Sequence, residues 1–248
     1  MDYALVGTER GVPHIAATDH CPTDTRFGDE HRMRVEQFPE YIEMVEAARA
    51  ASPIPVLLGI EADYYRGCER FLDTWTQKYP FDLVLGSVHF LNYWGKPGEL
   101  RTLADADDPA VTWKLYFELI SELADTRLYD IVAHIDLPKR FGNEIAETAL
   151  REFALPALDR LAEAGMAIEI NTSGLNHAPQ EPYPGLNILT WACEREVGLT
   201  FGSDSHHPDR VGTGFDVALK LAADAGYKTS RHYHQREFTE QPLLAQGA

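Results

Sequence analysis

Apolar residues recur at steps of three and four along much of the chain, the spacing that places them on one face of an α-helix. The pattern is strongest where Trp113, Tyr116 and Phe117 are followed by Ile120 and Leu123. Each helix-like stretch predicts an amphipathic helix with one buried face. The predicted helices cover 2–9, 38–45, 113–123, 153–161, 186–193 and 217–225.

Short apolar runs lie between the predicted helices. The runs are 14–17, 56–60, 83–88, 131–133, 167–170 and 199–201. They are too short for helices and alternate with them, so they predict buried parallel strands in repeating βα units. The chain has 248 residues, close to the roughly 250 of a β/α barrel. This length favours a single α/β domain that spans residues 1–248. Six strands is an awkward number for a closed barrel, so we expect one strand to be missing in front.

Composition excludes several classes of protein. Apolar residues make up 44% of the chain and charged residues 25%, the balance of a folded globular protein. Cys21, Cys68 and Cys193 are far apart and form no CxxC pair, which argues against disulfides and zinc ribbons and favours the cytoplasm. The N-terminal segment does not resemble a signal peptide, and no apolar run approaches the roughly 18 residues of a membrane-spanning helix. We therefore expect no membrane contact. The formal net charge of −17 opposes binding to nucleic acid.

Metal-binding residue types directly follow five of the six predicted strands. In a β/α barrel the C-terminal ends of all strands open onto one face, so these side chains are expected to converge. Imidazole and carboxylate groups suit zinc, iron or manganese, and Glu61 could bridge two ions. Any one of these residues alone is more often a hydrogen-bonded core or loop residue, but their repetition favours a metal centre. The residues are Asp19, His20, Glu61, His89, His134, Asp136, Asp204 and His206.

Five motifs contain these positions: Thr-Asp-His at 18–20, Gly-Ile-Glu-Ala-Asp at 59–63, Gly-Ser-Val-His-Phe at 86–90, His-Ile-Asp-Leu-Pro-Lys-Arg-Phe-Gly at 134–142 and Gly-Ser-Asp-Ser-His at 202–206. A sixth motif is Asn-Thr-Ser-Gly-Leu at 171–175. In combination they resemble the motifs of histidinol-phosphatases in the PHP (polymerase and histidinol phosphatase) family over nearly the whole chain. The resemblance implies a distorted (β/α)7 barrel of the PHP type, lacking its first strand here. It also implies hydrolysis of L-histidinol phosphate in histidine biosynthesis, with up to three divalent ions of Zn, Mn or Fe.

By the same resemblance, six residues are metal ligands: His20, Glu61, His89, His134, Asp204 and His206. A metal-activated water would be the nucleophile, so no Ser or Cys is needed for that role. Asp19 and Asp136 are expected to orient histidines and not to bind metal. Arg140 is the favoured phosphate-binding residue because a guanidinium donates two parallel hydrogen bonds to phosphate. Lys139 is a weaker candidate, and a solvated basic pair is the alternative for both.

Two departures from the family pattern change what is expected. The opening His-x-His of the family and the His that follows it are not in the sequence. We therefore expect fewer bound ions and weak catalysis, unless His232 and His234 replace the missing ligands. Asn176 stands where relatives place a phosphate-contacting arginine, and it can donate hydrogen bonds but brings no charge. It stays a candidate for substrate binding.

Other functions fit the same residues. One is a PHP phosphoesterase for a different small phosphate ester or for nucleic acid ends, the latter opposed by the acidic balance. The other is a barrel that kept some ligands and serves only as a binding module. The expected partner is a small phosphorylated substrate, and a homo-oligomer is left open. Metal analysis and a phosphatase assay separate these functions.

Overall fold

Helices and strands alternate along most of the chain. The computed structural model describes residues 2–23, 31–92, 100–105 and 108–243. The helices are α1 (Asp2–Glu9), α2 (Phe38–Ala51), α3 (Glu69–Lys78), α4 (Pro109–Thr126), α5 (Glu147–Ala164), α6 (Leu186–Cys193) and α7 (Phe215–Ala225). The strands are β1 (Ile15–Ala17), β2 (Val56–Asp63), β3 (Leu83–Ser87), β4 (Phe90–Asn92), β5 (Leu100–Thr102), β6 (Ile131–Val132), β7 (Ala167–Asn171), β8 (Gly198–Gly202), β9 (Thr229–His234) and β10 (Glu237–Pro242).

Six of the strands form one parallel sheet in which neighbours in space follow one another along the chain. The order is β1-β2-β3-β6-β7-β8, and every connection contains a helix. The sheet curls into a half-barrel, and β1 and β8 are its outer strands within the described residues. The predicted α/β class and the six predicted parallel strands are therefore confirmed.

The register brings the C-terminal ends of the strands to a common level. Asp63, the last residue of β2, pairs with Ser87 at the end of β3. At the far side of the sheet, Asn171 pairs with Gly202 at the ends of β7 and β8. Side chains that follow the strands therefore meet at one edge, as expected for parallel βα units.

Helix α4 shows why the predicted helices form where they do. Asp108 caps its first turn, because the carboxylate accepts hydrogen bonds from the backbone N–H of Ala110 at 2.8 Å and of Val111 at 3.3 Å. Pro109 occupies the first helical position, where no N–H is needed. The helix ends at Arg127, whose φ of 59° is left-handed. Its apolar face is buried at Trp113, Tyr116, Phe117, Ile120 and Leu123.

The antiparallel hairpin of β9 and β10 covers the N-terminal end of the half-barrel. Asp82 and Asp130 directly precede β3 and β6. Arg236 donates to both carboxylate oxygens of Asp130 at 3.0 Å, and the backbone N–H of Gln235 donates to Asp82 at 3.1 Å. Tyr233 completes an apolar core inside the sheet with Leu83, Leu85, Ile131, Ala133 and Ala167.

Several elements were not predicted. These are helix α3 and the hairpins β4–β5 and β9–β10. His232 and His234 lie in β9 at the N-terminal end of the sheet strands, where His234 Nδ1 is 3.0 Å from Asp82. They therefore lie at the opposite end of the sheet from the predicted metal ligands, which are at the C-terminal ends of the strands. Among the described residues, no helix has the length and apolar character that a membrane crossing requires.

Candidate metal centre

Glu61 lies at the centre of three histidines. Glu61 Oε1 is 3.2 Å from His134 Nε2 and 3.8 Å from His89 Nε2. Glu61 Oε2 is 3.9 Å from His20 Nδ1. The side chain of Glu61 is 11% exposed and that of His134 5%, whereas those of His20 and His89 are about a quarter exposed. The structure thus brings together four of the six predicted ligands.

Each histidine reaches Glu61 from the end of a different strand. His20 continues β1 and forms an isolated parallel bridge with Glu61 on β2. His89 follows β3, and His134 follows β6. His134 has a φ of 28°, a conformation that costs energy in a residue with a side chain. Tyr116 OH donates to the carbonyl of His134 at 3.2 Å, which helps to hold this backbone in place.

The donor set fits a divalent metal ion. Two ligands of one tetrahedral ion, each about 2.1 Å from it, lie roughly 3.4 Å apart, which is close to the separations around Glu61. His20 Nδ1, which faces Glu61, is buried and lacks a hydrogen-bond partner in the described part of the chain. Glu61, His89 and His134 also offer three ligand atoms within 4.8 Å of one another. A mixed nitrogen and oxygen set of this kind suits zinc, manganese or iron.

The electrostatics of the cluster favour a cation. Burial acts to raise the pKa of Glu61, but the hydrogen bond with His134 and the charges of the three imidazoles outweigh it, so the pKa is lowered. Burial acts to lower the pKa of His134, but the hydrogen bond and the negative charge of Glu61 raise it to about 9. Positive charge at this position is therefore stabilised, whether a proton or a metal ion carries it.

Asp204 and Glu169 form the adjacent part of the site. Asp204 Oδ2 accepts hydrogen bonds from Asn171 Nδ2 and Ser173 Oγ, both at 3.2 Å. Glu169, buried on β7, accepts from Asn171 Nδ2 at 3.0 Å and from the backbone N–H of His134 at 3.3 Å. Burial above all raises the pKa of Glu169 to about 7, and the negative charge of Asp204 adds to this effect. Glu169 thus links Asp204 to the His134 side of the cluster.

Three of the predicted site residues have other contacts. The side chain of His206 is 80% exposed, and its Nδ1 is 3.1 Å from the backbone carbonyl of Asp204. Asp19 accepts a hydrogen bond from the backbone N–H of His20 at 2.8 Å. Asp136 accepts from Lys139 Nζ at 2.8 Å and from the backbone N–H of Gly185 at 2.9 Å. These contacts place Asp19 beside the backbone of His20 and turn Asp136 towards Lys139.

Comparison with known proteins decides the family. The model of the PHP domain matches residues 2–173. The chain belongs to the PHP family. It is 34% identical to a probable histidinol-phosphatase of Deinococcus radiodurans, over 95% of this chain and 90% of that protein. It is 26% identical to the histidinol-phosphatase of Bacillus subtilis, over 88% of this chain and 91% of that protein. The resemblance stated from the motifs is confirmed.

Solved structures agree on the PHP fold. A histidinol phosphate phosphatase from Lactococcus lactis, crystallised with zinc, L-histidinol and phosphate, superposes with a TM-score of 0.78 at 19% identity, over 96% of this chain and 91% of that one. A putative histidinol phosphatase from Listeria monocytogenes gives a TM-score of 0.76 at 21% identity, over 87% and 92%. The half-barrel is therefore a PHP-type α/β fold.

Lys139 and Arg140 differ in how far their side chains are already engaged. Burial and then the positive charge of Arg140 lower the pKa of His177, while the negative charge of Asp204 acts in the opposite direction. Lys139 is held by Asp136, by Glu181 Oε1 at 2.9 Å and by the carbonyl of Pro182 at 2.8 Å. Arg140 therefore has the greater freedom to meet an anion.

Asn176 has a partner that the motifs did not indicate. Its Oδ1 accepts a hydrogen bond from Arg210 Nη1 at 2.5 Å, and its Nδ2 donates to the carbonyl of Ser173 at 3.4 Å. Ser173 in turn donates to Asp204. Arg210 thus supplies positive charge beside the position where Asn176 brings none. Its place in the His-Pro-Asp-Arg segment after His206 is visible in the sequence, but its pairing with Asn176 is not.

Proposed function

We propose that this PHP protein is a metal-dependent phosphomonoesterase that hydrolyses L-histidinol phosphate to L-histidinol and phosphate. The observation that carries the proposal is the Glu61 cluster, in which three imidazoles surround one buried carboxylate at the strand ends. Relatives support the proposal, because proteins that align over most of this chain are named histidinol-phosphatase or probable histidinol-phosphatase. The three free cysteines favour a reducing compartment, the cytoplasm.

The residues of the Glu61 cluster would bind the divalent metal ion, which would be Zn, Mn or Fe. A bound divalent ion supplies Lewis acidity, which polarises a phosphoryl oxygen and makes a neighbouring water more acidic. Glu61, His89 and His134 provide one set of three donors, and His20 adds an imidazole on the opposite carboxylate oxygen of Glu61. Asp204 lies beside them, held by Asn171 and Ser173. His206 reaches the site only if its exposed side chain turns inward.

The guanidinium groups bind and orient the phosphate in this proposal. Arg140 and Asp204 both act electrostatically on His177, and Arg210 is connected to Asp204 through Asn176 and Ser173. Each guanidinium can donate two hydrogen bonds to phosphate oxygens. Two such groups offset the repulsion between a phosphate dianion and the carboxylates Glu61, Glu169 and Asp204. Lys139 takes no direct part, because its ammonium is already surrounded by acceptors.

Hydrolysis of L-histidinol phosphate by metal-loaded protein tests this function. The protein is stripped with a chelator, reloaded separately with Zn, Mn and Fe, and assayed for phosphate release from L-histidinol phosphate and from p-nitrophenyl phosphate. We expect activity that depends on metal and favours L-histidinol phosphate. Equal turnover of both esters would point to a different small phosphate ester as substrate. Folded, metal-loaded protein without phosphate release would leave a binding module as the better interpretation.

A further inference from the structure

A buried ion pair lies directly behind His89. Arg32 Nη2 is 2.9 Å from Asp63 Oδ2, and the two side chains are only 6% and 2% exposed. Asp63 Oδ1 faces the other way and is 2.7 Å from His89 Nδ1. The same oxygen accepts from the backbone N–H of His89 at 3.3 Å and from Ser87 Oγ at 3.5 Å. Arg32, Asp63 and His89 therefore form a connected row.

The row fixes the direction of the imidazole. The buried guanidinium of Arg32, 2.9 Å from Asp63 Oδ2, pairs this carboxyl group with a positive charge, so Asp63 is an anion. An anionic carboxylate accepts hydrogen bonds only, so His89 Nδ1 carries the proton and donates it to Asp63. The lone pair of the neutral ring then lies on Nε2, the atom that faces Glu61 at 3.8 Å.

We propose that Asp63, clamped by Arg32, is a positioning residue that holds His89 with Nε2 as its metal-binding atom. The inference rests on the metal site of the proposed function and goes beyond it. Strand β2 supplies both parts, because Glu61 and Asp63 are two residues apart and share a face of the strand. One residue offers a ligand, and the other orients a ligand that comes from the next strand.

The distances argue against Asp63 as a ligand itself. Asp63 lies in a possible three-residue metal group with His20 and His89. However, 2.7 Å between Asp63 and His89 is a hydrogen-bond length, shorter than the roughly 3.4 Å that separates two ligands of one tetrahedral ion. Both oxygens of Asp63 are also engaged, one by His89 and one by Arg32. The carboxylate is better placed to support the imidazole than to bind an ion.

Arg32 connects this arrangement to a second ligand-bearing segment. Its Nη1 donates to the carbonyl of Cys21 at 3.3 Å, and Cys21 directly follows His20. Its guanidinium also lies 5.8 Å from the centre of the Phe90 ring, in the residue after His89. One side chain thus contacts the segments that carry His20 and His89 as well as Asp63.

Asp63→Asn is the most informative substitution because it keeps the shape and removes the charge. Arg32 can only donate, and its charged contact of 2.9 Å is stronger than the 3.3 Å contact from the backbone N–H of His89, so it selects the amide oxygen and turns the amide NH2 towards His89 Nδ1. The imidazole must then accept at Nδ1 and carry its proton on Nε2, where it blocks metal binding. The same substitution behind the histidine of a Ser-His-Asp triad imposes the wrong tautomer. We expect zinc affinity to fall by about 10- to 100-fold with the number of bound ions at saturation unchanged.

The measurements are zinc affinity by competition with a chromogenic chelator, metal content at saturation, and the visible absorption spectrum of the cobalt-substituted protein. Asp82→Asn is the matched control, since Asp82 is also buried and is 2.9 Å from Arg49, at the N-terminal end of the strands. It is expected to lower thermal stability without changing zinc affinity. The cobalt spectrum should change for Asp63→Asn and not for Asp82→Asn.

A double variant distinguishes tautomer control from general damage. Arg32→Met removes the donor that fixes the amide, so in the Arg32→Met, Asp63→Asn protein the amide can present its oxygen to His89. We expect this double variant to bind zinc more tightly than Asp63→Asn alone. With Asp63 unchanged, the Arg32→Lys protein should bind zinc more tightly than the Arg32→Met protein. This pair of variants provides the test if Asp63→Asn fails to fold.

Three results would overturn the proposal. The first is an unchanged zinc affinity in Asp63→Asn. The second is the loss of a whole equivalent of bound metal in Asp63→Asn, which would make Asp63 a ligand. The third is a double variant that binds zinc more weakly than Asp63→Asn alone. Wild-type protein that binds zinc but releases no phosphate from L-histidinol phosphate would refute the proposed function alone. The comparison of zinc affinities would still test Asp63.

Discussion

Replacing Gly202 by alanine tests whether the buried Glu169 is held as described. A Cβ on Gly202, the last residue of β8, would overlap Glu169 Oε1 and lie 2.7 Å from its Cδ. The φ of Gly202 is not in the left-handed region, so the effect of alanine comes from space and not from backbone strain. Glu169 is 5% exposed and has to leave its position to make room.

The cost follows from the contacts that Glu169 loses. It accepts hydrogen bonds from Asn171 Nδ2 at 3.0 Å and from the backbone N–H of His134 at 3.3 Å. At pH values above its pKa of about 7 the Glu169 carboxylate is mostly ionised, and hydrogen bonds to a charged group contribute about 1.5–3 kcal/mol each. Taking the lower value for both bonds, Gly202→Ala should lower the free energy of unfolding by about 3 kcal/mol. In a chain of this size that lowers Tm by roughly 6–12 °C.

Thermal unfolding of four metal-free proteins measures this: wild type, Gly202→Ala, Glu169→Ala and the double variant. With Glu169 shortened to alanine, the added methyl group has room, so Gly202→Ala should cost less than about 1 kcal/mol in that background. Zinc affinity should also fall in Gly202→Ala, because the backbone of His134 loses an acceptor. Equal costs of Gly202→Ala in the two backgrounds would refute the overlap with Glu169 as the cause.

Three further predictions concern the site. His89→Ala and His134→Ala should each lower kcat for L-histidinol phosphate at least 100-fold and reduce the amount of bound metal, while the circular dichroism spectrum stays unchanged. If either variant keeps near wild-type turnover at saturating metal, the residue replaced in that variant is not a ligand. Arg140→Lys should raise KM and Arg140→Ala should raise it further, and unchanged kinetics in both would make Arg140 a surface residue. Arg210→Ala should raise KM about 10-fold, with the remote Arg160→Ala as control; equal values in the two variants would exclude Arg210 from phosphate binding.

The sheet could be predicted because its four central strands are buried on both faces. Runs such as 56–60 and 83–88 are almost wholly apolar, which is how such strands differ from loops and helices. Helix α3 was missed because its exposed face is polar and only Leu72 and Trp75 are buried within it. The hairpin of β9 and β10 was missed for a similar reason, since most of β10 is exposed and carries polar residues.

The candidate site could be predicted only in part. Glu61, His89 and His134 were found because each directly follows an apolar run that predicts a strand, and parallel strands bring their ends together. Glu169 lies inside β7 and not at its end, so the same rule passes over it. Arg32 and Asp63 are far apart in the chain, so their pairing depends on the tertiary structure. Local sequence does not encode such long-range contacts.

The hairpin at the N-terminal end of the half-barrel also affects how the protein folds during synthesis. Residues 229–242 follow all six sheet strands in the chain. On a ribosome, Tyr233 emerges about 100 residues after Ile131, a delay of roughly 5–20 s. During that interval the apolar interior of the sheet lacks its cover and is open to chaperones and to aggregation. Shortening the protein from this end would therefore reduce the yield of soluble protein, although every residue of the Glu61 cluster would still be present.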